Sequence, residues 1–420
     1  MKMILLTQYF PPEPGSVSIK MAELAEYLAR KGHRITVVTS FPNYPTGKFY
    51  KGYRVSLIRK ERKILTHDEK EIQIIRVPLL PTSKRKSFIH RTVNHGSFMI
   101  SATYGGLLAG KPDLIYFRSP PPFLGVTSYV LKRLFKVPVI MELTDLWPEA
   151  PIALGVIKNR LLIEWANRFV KSVYNHVDFI FFYSNKHREE VLNLGIPRNK
   201  TEIHPLWVDT ELFKEQDKEE IKKNRLKYGL NKKFVIMYAG LISYAQGLDV
   251  VIDAAIKLRN HPDIAFVFVG DGPHKDIMVQ KAKEGKLSNI IFIPFQPLDE
   301  IPKILSMADV LLAHLSPAPH RLGTIPEKVL AYMSMGKPLL VGCKGETADL
   351  VRRSGSGIVF KPGDSDELVK GILSILNNKE RDTMGKKGRE YAVANFDKRK
   401  VLADLEKRLV EIAYGKLQRS

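Results

Sequence analysis

Two cations, Arg321 and Lys328, lie in a short stretch whose residue types suit an anion, HRLGTIPEKVLAYMSMGKPLLVG over residues 320–342. Pro326 fits the first turn of a helix, where its missing N–H costs nothing, and Gly336 followed by Pro338 stops that helix. The helix therefore opens towards the preceding loop with unpaired amides and the positive end of its dipole, which suits a diphosphate. Lys328 in the first helical turn, Arg321 in the loop and the backbone at Gly323 and Thr324 are the groups that would meet it. An ordinary loop and helix of an α/β domain has the same local pattern, so the rest of the chain must decide between the two readings.

Around this stretch the chain alternates apolar strands with helical periodicity. MILL at 3–6 reads as a buried strand, QYFPPEPGS as a loop, 17–31 as a helix stopped by Gly32, and ITVV at 35–38 as the next strand. That is a βαβ unit with an enlarged first turn, and Gly15 stands where a ligand could approach the backbone or where a simple turn needs it. A loop at 40–54 leads into a basic stretch ending in Lys84, Arg85 and Lys86, which with Arg91 borders the apolar run SFMISATYGGLLAG at 97–110. That run is too short to span a bilayer, and reads as a buried helix or as an amphipathic element leaning on anionic lipid. Strands at 113–117 and 137–143 end in the loops RSPPP and TDLWPEAP, so Arg118, Asp145, Trp147 and Glu149 are candidates for one wall of a cleft. Asp145 and Glu149 could be an acid and base pair or helix caps. A strand at 179–184 closes the first series.

A charged segment at 205–232 reads as a linker with a helix, and a second strand and helix series follows from FVIMYAG at 234–240 to PLLVG at 338–342. Within it, VGDGP places Gly270, Asp271 and Gly272 after a strand. The expected fold is α/β, two Rossmann-like doubly wound parallel sheets facing a central cleft. The expected domains are residues 1–203, residues 204–400, and a C-terminal helix in 401–420 packing back on the first domain.

Composition bounds the rest. The chain has 420 residues and a net charge of +22, with 31 Lys and Arg against 15 Asp and Glu in residues 1–200. Nucleic acid, anionic membrane or an anionic substrate would each suit that basic half, but no nucleic-acid module accompanies it. Its single cysteine, Cys343, excludes an intramolecular disulfide and a cysteine-rich metal site, and points to a reducing compartment. With no apolar run of membrane-spanning length, the expectation is a cytoplasmic protein.

The segments YFPPEPG, GHRITVVTSFPNYPTGK, DLWPEAPIALG, LWVDTELF, YAGLISYAQGLDVVIDAA, VGDGP and IPEKVLAYMSMGKPLLV occur in that order. Together they resemble the family 4 retaining glycosyltransferases of the GT-B fold, specifically the fucosamine transferase and colanic acid glycosyltransferase-like branch. The resemblance implies a nucleotide-sugar donor, expected to be UDP-linked, held by the C-terminal domain, with no metal or further cofactor. It also implies a lipid-linked sugar acceptor held by the N-terminal domain at the inner face of a membrane. On this reading Asp145, Arg321 and Lys328 are catalytic and Arg118, Trp147 and Glu149 meet the acceptor. Gly15, Gly240, Gln246, Gly270, Asp271, Gly272, Gln296, Gly323, Thr324 and Glu327 serve the donor. The chain departs from the family at Leu241 and Gln246, where many members carry an Arg and a Lys, and at Gly323 and Ala331, where a glutamate pair is usual. Glu327, one helical turn before Ala331, is the expected substitute for the ribose-holding carboxylate.

Overall fold

Strand sequences such as KMILL and FVIMYA are apolar on both alternating faces, so neither face can be left to water; parallel strands covered by crossover helices satisfy them. The computed structural model describes residues 1–65, 70–83, 88–119, 122–153, 155, 157–318 and 321–415. The basic cluster Lys84, Arg85 and Lys86 lies outside these residues. The chain divides into two units, Met1–His204 with Leu402–Ser420, and Pro205–Val401.

The first unit runs β1 (Lys2–Leu6), α1 (Ser16–Arg30), β2 (Arg34–Ser40), β3 (Arg59–Ile64), β4 (Glu71–Val77), α2 (Phe88–Leu108), β5 (Leu114–Ser119), α3 (Leu124–Phe135), β6 (Val139–Leu143), α4 (Glu149–Ala153), α5 (Arg160–His176), β7 (Phe179–Phe182), α6 (Asn185–Asn193) and β8 (Thr201–Ile203). Its eight strands lie in the order β3-β4-β2-β1-β5-β6-β7-β8. Among the described residues only β3 is antiparallel to its neighbour. Its sequence RKERKI alternates exposed and half-buried positions at the sheet edge, where a charged strand discourages further pairing. Those charges are also why the basic stretch does not read as a strand from sequence. The chain leaves β1 in one direction for β2, while β4 crosses back to β5, so the sheet's switch point lies between β1 and β5.

The second unit runs α7 (Lys218–Lys227), β9 (Phe234–Ala239), α8 (Asp249–Lys257), β10 (Ile264–Val269), α9 (Lys275–Glu284), β11 (Ile290–Ile293), α10 (Ile301–Leu305), β12 (Val310–His314), α11 (Glu327–Ser334), β13 (Leu339–Gly342), α12 (Glu346–Ser354), β14 (Gly357–Val359), α13 (Ser365–Asn377) and α14 (Arg381–Asn395). Its six parallel strands are ordered β11-β10-β9-β12-β13-β14, with the switch point between β9 and β12. A last helix, α15 (Lys398–Ala413), starts in the second unit and continues into the first. There Glu406 receives hydrogen bonds from Tyr27 at 3.2 Å and pairs with His33 at 3.0 Å, and Arg408 binds Glu202 through two nitrogens. Among the described residues no helix is long and apolar enough to cross a membrane.

Candidate functional site

In the second unit the switch point brings the end of β9 against the start of α11. Tyr332 of α11 is fully buried, and its hydroxyl bonds both backbone groups of Ala239, accepting from the N–H at 2.7 Å and donating to the carbonyl at 2.9 Å. This pins the helix to the strand end. Lys328, one turn earlier on the same face, consequently projects over β9. Its Nζ donates to the Tyr238 hydroxyl at 2.5 Å and lies 3.8 Å from that ring's centroid. The Tyr238 hydroxyl in turn donates to the Leu241 carbonyl at 2.6 Å. The ammonium also hangs over Gly240, where a Cβ would come within 2.7 Å of it.

Among the described residues this environment supplies a phenol and a ring face but no carboxylate to Lys328. Burial therefore pushes the lysine down to about 7 from an ordinary value near 10.5. A half-buried cation without an anion is costly to the fold and ready for an anionic ligand.

Arg321 does different work. Its Nη1 donates to the carbonyls of Ala245 at 2.5 Å and Ser316 at 3.0 Å and to the Ser316 hydroxyl, so it ties the loop after β12 to the turn Tyr244–Gln246. Thr324 closes a turn on the Arg321 carbonyl at 3.1 Å, and its own carbonyl accepts from Thr347 Oγ1 at 2.6 Å. Gly323 is buried within that turn, and Glu327 is half-buried at the first position of α11. Ala331, where the family glutamate is usual, is 9% exposed.

Gln246 is held through its backbone by a residue that strand periodicity alone does not single out. The carbonyl of Gln246 lies 2.5 Å from His314 Nδ1, and Nε2 of the same ring accepts from the Gly363 N–H at 2.9 Å. One nitrogen must donate and the other accept, so the ring is neutral, and burial lowers its pKa. A charged ring would lose the Gly363 bond. Because the unfolded chain takes up a proton below its ordinary value of 6.5 and the folded one resists it, stability falls as pH drops through that value. We expect a lower Tm at pH 5.5 than at pH 7.5, and a smaller difference in His314→Gln, measured by thermal denaturation at both pH values.

Gly270 and Gly272 have φ of 132° and 152°, and a Cβ at either would stand 2.2 Å from the carbonyl oxygen of Gly240 or Ile242 respectively. Their absent side chains thus allow the loop after β10 to pack backbone on backbone against the loop after β9. Asp271 caps Gly272 N at 2.8 Å. Gln296 follows the edge strand β11, with β10 between that strand and β9, and donates to Pro294 O at 3.1 Å. The switch point therefore gathers Gly240, Gln246, Arg321, Thr324 and Lys328, and leaves Gln296 apart. A cavity of about 1080 Å³ in this unit lies at the other end of α11, lined by Met335, Gly336 and Lys337, and holds none of these groups.

In the first unit the switch point carries a polar network that sequence spacing does not reveal. Gln8 Nε2 donates to Asn94 Oδ1 at 2.8 Å, Gln8 Oε1 lies 2.7 Å from His95 Nδ1, and Asn94 Nδ2 donates to Leu80 O at 2.7 Å. Burial, with the Arg91 charge adding to it, pushes His95 down to about 4. The neutral ring donates from Nδ1 and keeps a lone pair on Nε2. Phe123 stacks on it with centroids 6.2 Å apart. Gly15 caps α1 at φ 121°, and a Cβ there would meet nothing nearer than Tyr44 Cε1 at 3.8 Å.

The acceptor-side candidates separate. Arg118 is 5% exposed within β5, its Nε 3.7 Å from Glu142 Oε2 and its guanidinium 5.5 Å from the Tyr183 ring centroid. Asp145 is exposed in the loop after β6. Trp147 packs edge-on against Phe123 and Phe169, each at 6.4 Å. Glu149 opens α4, and burial, reinforced by the Glu190 charge, raises its pKa.

Comparison with known proteins adds the family. The "Glycosyl transferase 4-like domain" profile matches residues 15–207, and "Glycosyl transferases group 1" matches residues 217–391. WcaI of Escherichia coli (strain K12), named for glycosyl transfer in colanic acid biosynthesis, is 27% identical over 413 residues, covering 96% of this chain and 98% of that protein. Anabaena Alr3699/HepE, solved in complex with UDP-glucose, superposes with a TM-score of 0.72 at 18% identity, covering 98% of this chain and 100% of the other. Sucrose-phosphate synthase from Thermosynechococcus elongatus gives 0.74 at 16% identity, with 99% of each chain covered. These likenesses show the GT-B fold. With one glycosyl transferase profile on each unit and a relative aligned over nearly the whole length, the chain is a glycosyltransferase.

Proposed function

We propose that the protein moves a sugar from a UDP-linked donor, with retention of anomeric configuration, to a lipid-linked glycan acceptor in cell-surface polysaccharide synthesis. The observation that carries this reading is Lys328 suspended over Gly240 with a phenol for a partner and no carboxylate. A departing nucleoside diphosphate gathers negative charge, and a fixed cation in a poorly hydrated site stabilises that charge without reorganising. In many family members this loop carries its own cations; here Leu241 and Gln246 stand in those places, and Lys328 approaches the same strand end from α11. Arg321 positions the Gln246 turn, and Gly323 offers backbone to the sugar; the Thr324 backbone is already bonded to Arg321 and Thr347. The group 1 profile match and the solved UDP-glucose complex of a protein with the same fold support the choice of donor.

On the acceptor side, Asp145 and the His95 Nε2 lone pair are the groups we assign to the sugar hydroxyls, with Trp147 and Glu149 flanking them. We also assign the acceptor a lipid link at the inner face of an anionic membrane, a reading that the basic first half and the relative named for colanic acid biosynthesis support. The test is UDP release from UDP-sugars with lipid-linked acceptors, the product's anomeric configuration being read by NMR. Release that needs no acceptor, or an inverted product, would overturn the reading.

Glu327 is assigned to the nucleotide ribose in place of the missing glutamate at Ala331. Glu327→Gln should then weaken UDP binding by about 1.5–3 kcal/mol, the worth of a charge-assisted hydrogen bond. Calorimetric titration measures this directly. Unchanged affinity with a slightly lower Tm would instead make Glu327 a partner of the helix dipole alone.

A further inference from the structure

The crossovers β4 to β5, β5 to β6 and β6 to β7 all step the same way along the first sheet, so right-handed connections put α2, α3 and α5 in one layer on one face. Neighbouring helices in this layer touch, α2 with α3 and α3 with α5. Their inner faces form core, as Phe98, Leu131 and Val170 show. A surface helix of this kind normally turns polar residues outward.

Here α2 does not. Its exposed large side chains include Ile89, Val93, Ile100, Tyr104 and Leu107, with Ile89 72% and Ile100 69% exposed. On a period of 3.6 residues these five fall within about 60° of one another, a continuous apolar stripe opposite the core. At the other side of the layer α5 exposes Leu161 at 75% and Trp165 at 58%, with Leu162 beside them. Exposed apolar area of this extent calls for a cover.

Charge indicates which cover. Residues 88–113, 122–136 and 157–176, which contain the three helices, hold nine Lys and Arg against two Asp and Glu. Apolar side chains interspersed with cations suit the boundary of an anionic bilayer, where the apolar groups enter the acyl region and the cations meet headgroups. A protein partner with an acidic rim, or a second copy of this chain, is the alternative; a second copy would bring its own positive charge against this one.

The ring contacts join this face to the first unit's polar network. Trp165 stacks on Phe169 at 5.5 Å, Phe169 meets Phe123 at 5.8 Å, and Phe123 stacks on His95 at 6.2 Å. The row runs from an exposed tryptophan to the imidazole bonded to Gln8.

We propose that the outer face of the α2, α3 and α5 layer docks on an anionic membrane, with the Trp165 to Phe123 row as the path by which a lipid-borne sugar reaches His95. The path rests on the lipid-acceptor reading above; the docking does not. Co-sedimentation with phosphatidylcholine vesicles, with and without one quarter phosphatidylglycerol, tests it. The full chain should bind the anionic vesicles, bind less at 1 M salt, and shift its tryptophan emission to the blue. Ile100→Glu with Tyr104→Glu, two exposed positions, should cut the partition coefficient about tenfold while UDP still raises Tm as in the parent. Trp165→Ala should remove the blue shift. Binding that is equal on neutral and anionic vesicles, or unchanged by the paired glutamates, would overturn the proposal. So would absent binding with a dimer in analytical ultracentrifugation that the paired glutamates dissociate. Failure of sugar transfer with vesicle binding intact would instead overturn the lipid-acceptor reading and leave the docking surface standing.

Discussion

Lys328→Met is expected to lower kcat/KM for the donor by about 10²–10³-fold, the usual cost of deleting one preorganised group that stabilises developing charge. The same substitution should raise Tm. In the free protein the ammonium has lost water and gained, among the described residues, the Tyr238 hydroxyl and ring, so burial pushes its pKa down to about 7. A thioether of similar length removes that penalty. A variant that is more stable and nearly inactive distinguishes a binding group from a structural one, since a structural lysine would lose both together. Steady-state kinetics and thermal denaturation on one preparation make the comparison.

Donor affinity carries the same signature in pH. In the free protein Lys328 loses its proton above about 7, whereas a bound diphosphate holds the proton on. Between the free and the bound pKa, binding takes up a proton, so affinity falls with rising pH, by up to about tenfold per unit.

The second large effect is on folding. Gly270→Ala should cost about 3 kcal/mol and lower Tm by roughly 6–12 °C for a unit of this size. The added Cβ would stand 2.2 Å from Gly240 O, which is backbone and cannot rotate aside, and φ is 132° as well. Gly15→Ala is the control. Its φ of 121° is equally unsuited to a side chain, but the nearest atom to the added Cβ is 3.8 Å away, so strain alone should cost about 1 kcal/mol. Equal effects at the two positions would mean that close approach at Gly270 is not what selects glycine there.

Those two glycines also show what a sequence can reveal. VGDGP marks a place where backbone comes close, but not to what; the structure shows a neighbouring loop rather than empty space. The apolar strands and the two α/β series were legible because continuous burial and the alternation of strand with helix impose them on the chain; the strand orders that set the two switch points were not. Arg321 and Lys328 were legible as cations near a helix start. That Arg321 braces the Tyr244–Gln246 turn, while Lys328 hangs over Gly240, was not, because each role depends on contacts 76 to 90 residues away in sequence. His314 and His95 were missed for the same reason. His314 looks like one polar residue in an apolar strand and His95 like one of several polar residues before an apolar run, and only their distant partners, Gly363 and Gln8, define their protonation. Arg118, placed by spacing at the end of a strand, turned out to be buried against Glu142. The outer stripe of α2 was half visible: the run at 97–110 suggested either a core helix or a lipid-facing one, and the helix buries one apolar face while exposing another.

The central claim is that the end of β9 and the start of α11 hold the diphosphate of a uridine nucleotide. Calorimetric titration of the full chain and of Lys328→Met with UDP, GDP and ADP at pH 6.5 and 8.5 tests it most directly. The parent should bind UDP in preference to GDP and ADP, more tightly at pH 6.5 and with proton uptake at pH 8.5, and Lys328→Met should lose most of that affinity and the pH dependence with it. Absence of binding by all three nucleotides, or equal UDP affinity in parent and variant, would contradict the account.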